Sequence, residues 1–161
     1  MNSFNTCCFI GHREINETDK LKAKLKKIIE ELIVNKKVDT FLFGSKSKFN
    51  DLCFDVVSKI KEKYPHIKRI YVRAEYPYIN DEYKNYILKN YEDTYYPEKI
   101  MGAGKAVYVE RNCEMIKNSR FCVVYYNESN LPINRKSGTQ IALDYARKNG
   151  SKIIGLFTNG L

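Results

Sequence analysis

Asn5-Thr6-Cys7-Cys8-Phe9-Ile10 is an apolar run closed by Gly11-His12-Arg13, and it reads as a short buried strand. Over 18–36, Leu21, Leu25, Ile28, Ile29, Leu32 and Ile33 recur at helical spacing, with lysines on the opposite face. Val38 to Phe43 form a second strand, ending in Gly44-Ser45-Lys46-Ser47. A helix from about Asp51 turns Leu52, Val56, Val57 and Ile60 inward and stops before Pro65. Arg69 to Val72 then form a third strand, which delivers Arg73, Ala74 and Glu75. Strand, helix, strand, helix, strand is the alternation of a parallel sheet covered on both faces. The expectation is an α/β fold, doubly wound, with a mainly parallel sheet of about five strands.

The rhythm breaks over 76–105, where tyrosines crowd alongside Pro77, Pro97, Gly102 and Gly104. This segment reads as a Tyr-rich insertion with one helix around 80–90. Its rings suit stacking on a base, and equally a packing layer or a dimer surface. A helix around 105–118, a strand from Phe121 to Tyr126, a helix ending at Gly150 and a strand from Lys152 to Phe157 complete the sheet. No repeat, low-complexity tract or second domain interrupts residues 1–161.

Composition narrows the function. The formal net charge is +9, which favours a polyanionic partner: nucleic acid, an acidic surface or a phosphorylated small molecule. Five cysteines, in no ligand spacing with histidine and with no CxxC pair, speak against a metal site and for a reducing, cytoplasmic home. No apolar run reaches membrane-spanning length, and a signal-peptide pattern is missing.

Ligands of doubly wound sheets bind beyond the carboxyl ends of the strands. Gly11-His12-Arg13, Gly44-Ser45-Lys46 and Arg73-Ala74-Glu75 all fall at such ends. Arg135-Lys136-Ser137-Gly138-Thr139-Gln140 opens the last helix. A helix start carries unpaired N–H groups and the positive end of the macrodipole, which suits a phosphate. The same residues also make an ordinary cap. Arg111 precedes the fourth strand and can face the same crevice as a bidentate phosphate clamp, or form a surface salt bridge. His12 offers a donor, or a simple turn. No Walker A, GxGxxG or catalytic triad is present.

Four pieces carry a family resemblance. Cys7-Cys8-Phe9-Ile10-Gly11-His12-Arg13 and Phe41-Leu42-Phe43-Gly44-Ser45 resemble the YspA/YpsA-like branch of the SLOG superfamily. Glu110-Arg111-Asn112-Cys113-Glu114-Met115 resembles the Arg-containing helix of its Lonely Guy phosphoribohydrolases. Ser137-Gly138-Thr139 resembles the end of their Pro-Gly-Gly-x-Gly-Thr-x-x-Glu phosphate loop. The resemblance implies a Rossmann-like fold and a nucleotide-derived ligand, with no further cofactor. It also marks a departure: the motif's Glu position holds Ala142, which cannot move a proton.

The leading expectation is therefore non-catalytic binding of an ADP-ribose-like or cyclic-nucleotide signal, as a sensor or a sponge in phage–bacteria conflict. The ligand-binding residues expected are Gly11, His12, Arg13, Gly44, Ser45, Lys46, Arg73, Glu75, Arg111, Asn112, Ser137, Gly138 and Thr139. A phosphoribohydrolase or other N-glycosidase, using an acid such as Glu75 or Glu110, is the second reading. Nucleic-acid binding, in the manner of the related DNA-processing protein A, is the third. A homodimer or higher homo-oligomer is the expected state.

Overall fold

The structure, a computed structural model, describes residues 3–127 and 138–158. Six parallel strands form one sheet in the order β4-β3-β2-β1-β5-β6. The strands are β1 (Thr6–Ile10), β2 (Thr40–Phe43), β3 (Lys68–Val72), β4 (Asp93–Tyr95), β5 (Phe121–Asn127) and β6 (Lys152–Thr158). The helices are α1 (Asp19–Asn35), α2 (Lys48–Lys63), α3 (Asp81–Ile87), α4 (Val107–Lys117) and α5 (Gly138–Asn149). This is the Rossmann-like α/β architecture, with one strand more than the spacing suggests.

The central strands are buried on both faces, as a covered parallel sheet requires. Cys7, Phe9, Phe41, Phe43, Val123 and Tyr125 point to the face under α1 and α2. Cys8, Ile10, Leu42, Val72, Cys122 and Val124 point to the other face, under α4 and α5. In α1 the spacing holds: Leu25, Ile29, Leu32 and Ile33 are buried, with Leu21 and Ile28 packed at the margin.

Helix α2 starts at Lys48, three residues ahead of the apolar periodicity. Its start is set by the Ser47 hydroxyl, which accepts from the Asn50 amide at 3.0 Å. Part of the Tyr-rich segment joins the sheet, as β4. It continues the βα rhythm through α3 into β4, which pairs with β3 at Ile70–Val72. Arg69 secures that edge by a two-pronged ion pair to Glu92, at 3.0 and 2.8 Å. Among the described residues, no helix is long and apolar enough to cross a membrane.

Candidate functional site

From β1 the chain winds outward through β2, β3 and β4, then returns through α4 to β5 on the other side of β1. The β1/β5 junction is thus the topological switch point, where doubly wound sheets open a crevice. A cavity of about 1500 Å3 lies there. It exceeds the roughly 300–1,000 Å3 of ordinary small-molecule sites. The ends of β1, β2 and β3, the first turns of α4 and the start of α5 all contribute to its wall.

Two arginines in that wall are nearly inaccessible, Arg111 at 4% exposure and Arg73 at 7%. Each is held by two bonds to the protein. Arg111 donates from Nε to Asn112 Oδ1 at 2.9 Å and from Nη1 to the Val72 carbonyl at 3.3 Å. Arg73 donates from Nε to the Tyr76 carbonyl at 3.2 Å and from Nη1 to Thr94 Oγ1 at 3.0 Å. In both, Nη2 makes no hydrogen bond, and no carboxylate forms an ion pair with either, among the described residues. Burial pulls both guanidinium pKa values below their ordinary value, the direction expected of a charge taken out of water. Glu75 acts on Arg111 and Asp93 on Arg73 from beyond ion-pair distance, so each buried cation is only partly offset, and an anionic ligand offsets it further.

The glycines differ in what they make possible. A Cβ on Gly11 would come within 2.2 Å of the Phe49 ring, so this glycine serves the core. A Cβ on Gly44 would come within 3.0 Å of Arg111 Cδ and Nη1, so this one lets the guanidinium cross the end of β2. A Cβ on Gly138 would meet nothing within 4 Å among the described residues, and Gly138 and Thr139 at the start of α5 line the cavity. In the β2–α2 turn the hydroxyls of Ser45 and Ser47 bond each other at 3.1 Å, and the Gly44 amide donates to Asn50 Oδ1 at 3.3 Å. Lys46 stands exposed beside them.

His12 is occupied on both sides. Its Nε2 accepts from the Asn127 amide at 2.9 Å, so the proton of the neutral ring sits on Nδ1, facing Thr139 Oγ1 at 3.2 Å. Burial lowers its pKa. The imidazole thus ties β1 to the end of β5 and to the start of α5, a structural use of the donor expected for a ligand.

The cavity brings together Gly11, His12, Arg13, Gly44, Ser45, Lys46, Arg73, Glu75, Arg111, Asn112, Gly138 and Thr139. Ser137, with the rest of the stretch upstream of Gly138, lies outside the described residues. Asn112 spends its carbonyl oxygen on Arg111. Glu110 is exposed and absent from the wall, whereas Glu75 lines it and accepts from the Tyr108 hydroxyl. Ala142 packs in the core beneath α5, and Ile141 takes the place on the wall.

The tyrosines sort into two groups. Tyr76, Tyr78 and Tyr83 line the cavity, with the Tyr76 and Tyr83 rings edge-to-face at 5.8 Å. Tyr76 holds a left-handed backbone, φ 60°, and its carbonyl caps Arg73. Tyr91 and Tyr95 pack against the core instead, and burial pushes both hydroxyls up to about 12. Two wall residues escape a reading by segment, Tyr71 and Tyr108. Both stand in a detectable pattern: Tyr71 shares a strand face with Arg73, and Tyr108 lies one helical turn before Arg111.

Neither family models nor curated proteins match the chain.

Proposed function

We propose that the protein binds a nucleotide-derived small molecule of the ADP-ribose or cyclic-nucleotide kind, and holds it without turnover. One observation carries this reading: Arg73 and Arg111, both buried and in no ion pair among the described residues, share a cavity with the start of α5. Fixed guanidiniums and helix-start amides are the groups that hold phosphoryl oxygens. The phenol rings of Tyr76, Tyr78 and Tyr83 supply flat apolar surface for a base. The absence of hydrolysis rests on Ala142, a methyl group in the core where the resembling enzymes carry their acid. The resemblance to SLOG proteins fits a sensor, or a sponge that sequesters a signal in phage–bacteria conflict.

Calorimetric titration with ADP-ribose derivatives and cyclic dinucleotides, each recovered afterwards and chromatographed, tests the reading. Micromolar or tighter binding with intact ligand is expected. No heat with any of them, at protein concentrations far above micromolar, overturns it. Release of free base from a nucleoside monophosphate, lost in Arg111→Ala, replaces it with a phosphoribohydrolase.

A further inference from the structure

We infer that Glu75 and Tyr108 form a sugar-hydroxyl subsite that makes this cavity select ribose over 2′-deoxyribose ligands. The inference rests on the nucleotide reading above and names the part of the ligand that the arginines do not. Two carboxylates lie in the cavity wall, Glu14 and Glu75. Glu14 is taken by Lys48 at 2.8 Å. Glu75 stands two residues from Arg73, yet among the described residues it makes no direct ion pair and acts on Arg111 only from a distance. It accepts instead from the Tyr108 hydroxyl through Oε1.

That bond fixes what the pair can read. The Tyr108 proton points at Glu75, and its phenol pKa is raised, chiefly by that bond. Towards the cavity, Glu75 Oε2 and the Tyr108 oxygen then offer lone pairs only. Phosphate carries negative charge at neutral pH, so it is repelled from this spot. Hydroxyl donors are accepted there, and two adjacent acceptors match the two adjacent hydroxyls of a ribose. An acidic side chain at a strand's carboxyl end is a general way for doubly wound folds to hold ribose.

The order along the wall agrees. Arg111 Cζ lies 6.0 Å from the Tyr108 ring, and Tyr76, next to Glu75 in the chain, meets Tyr83 at 5.8 Å. The paired acceptors thus adjoin both the Arg111 cation and the Tyr76–Tyr83 rings, with Arg73 bonded beside those rings.

The test titrates ADP, 2′-deoxy-ADP and inosine diphosphate into the native protein, Glu75→Gln and Tyr108→Phe. Gln keeps an acceptor for Tyr108 while turning the cavity-facing oxygen into a donor. The native protein should prefer ADP to 2′-deoxy-ADP by about tenfold, the cost of one unmatched polar group. In Glu75→Gln that ratio should fall towards one, with 2′-deoxy-ADP binding unchanged, and Tyr108→Phe should lower it partway. A ratio equal in native and Glu75→Gln proteins overturns the inference alone, leaving the phosphate reading standing. So does a loss confined to inosine diphosphate, which would assign the acceptors to the base amine. Failure of ADP alone to bind the native protein overturns this inference; failure of ADP together with every ligand titrated above brings down the nucleotide reading as well.

Discussion

Arg111 crosses directly over Gly44: a methyl group on residue 44 would sit 3.0 Å from both Cδ and Nη1 of the guanidinium, and 3.0 Å from Met115 Sδ. The end of β2 is therefore shaped around a cation delivered by α4. Substituting Gly44→Ala should displace the Arg111 guanidinium from its bonds to Asn112 and Val72 and leave the sheet intact. We expect affinity for pyrophosphate or ADP to fall at least about tenfold, with a stability loss of about 1–2 kcal/mol from overpacking. Calorimetry beside thermal unfolding separates the two; unchanged affinity would show that Arg111 plays no part in binding.

Gly11 and Gly138 predict opposite outcomes to the same substitution. Gly11→Ala drives a Cβ to 2.2 Å from Phe49 Cδ2, inside a fully buried ring packed between β1 and α2. The expected result is a loss of about 3 kcal/mol or more in denaturant unfolding, at the upper end of overpacking costs. Gly138→Ala meets no atom within 4 Å among the described residues and should leave stability within about 1 kcal/mol of native. Its ligand affinity should drop, since the added methyl stands in the cavity wall. Equal destabilisation by both would contradict this division between core and site.

The strands and helices that position the site are legible because their signals are local. Leu25, Ile29, Leu32 and Ile33 mark one helix face, and Cys7 to Ile10 mark a strand buried on both sides. β4 is not legible in this way. Asp93-Thr94-Tyr95 has neither length nor alternation, and becomes a strand only because β3 offers it an edge. The chemistry of the site follows the same rule. Charged and small residues at strand ends converge in space as their positions imply. Which of them stay free to act depends on partners that sequence cannot locate. His12 is consumed by Asn127, and Asn112 by Arg111. Arg73 becomes a site residue through Thr94, on the strand that local signals miss.

Thr94 therefore makes a test of how the second arginine is held. Its hydroxyl donates to the Tyr71 carbonyl at 2.7 Å and accepts from Arg73 Nη1 at 3.0 Å. Thr94→Val conserves shape and removes both bonds, at a cost of about 1–3 kcal/mol. Released from that bond, Arg73 should lose its fixed direction, and nucleotide affinity should fall. Thr94→Ser restores the hydroxyl and should restore binding. Loss of affinity in Ser as well as in Val would point to packing, against the hydrogen-bonded role.

The burial of His12, which outweighs the opposing effect of its Asn127 backbone contact, gives the fold a dependence on pH whose sign can be worked out. In the folded chain Nε2 accepts an N–H, so a second ring proton would have to displace that donor. Burial, the largest influence, already lowers the folded pKa below the ordinary 6.5. The unfolded chain titrates near 6.5, so just below that pH it binds more protons than the folded one. Stability is then full above about pH 6.5 and declines as pH falls towards the folded pKa. The Tm of the native protein should accordingly drop between about pH 7.5 and 5.5. His12→Gln keeps an acceptor for the Asn127 amide without a titrating ring. It should lose some Tm at pH 7.5 through the missing Thr139 contact, and show a flatter profile over the same interval. Nitrogen NMR of the native imidazole should find the proton on Nδ1. Parallel pH profiles for native and Gln proteins, or a proton on Nε2, would refute the assigned tautomer and the linkage drawn from it.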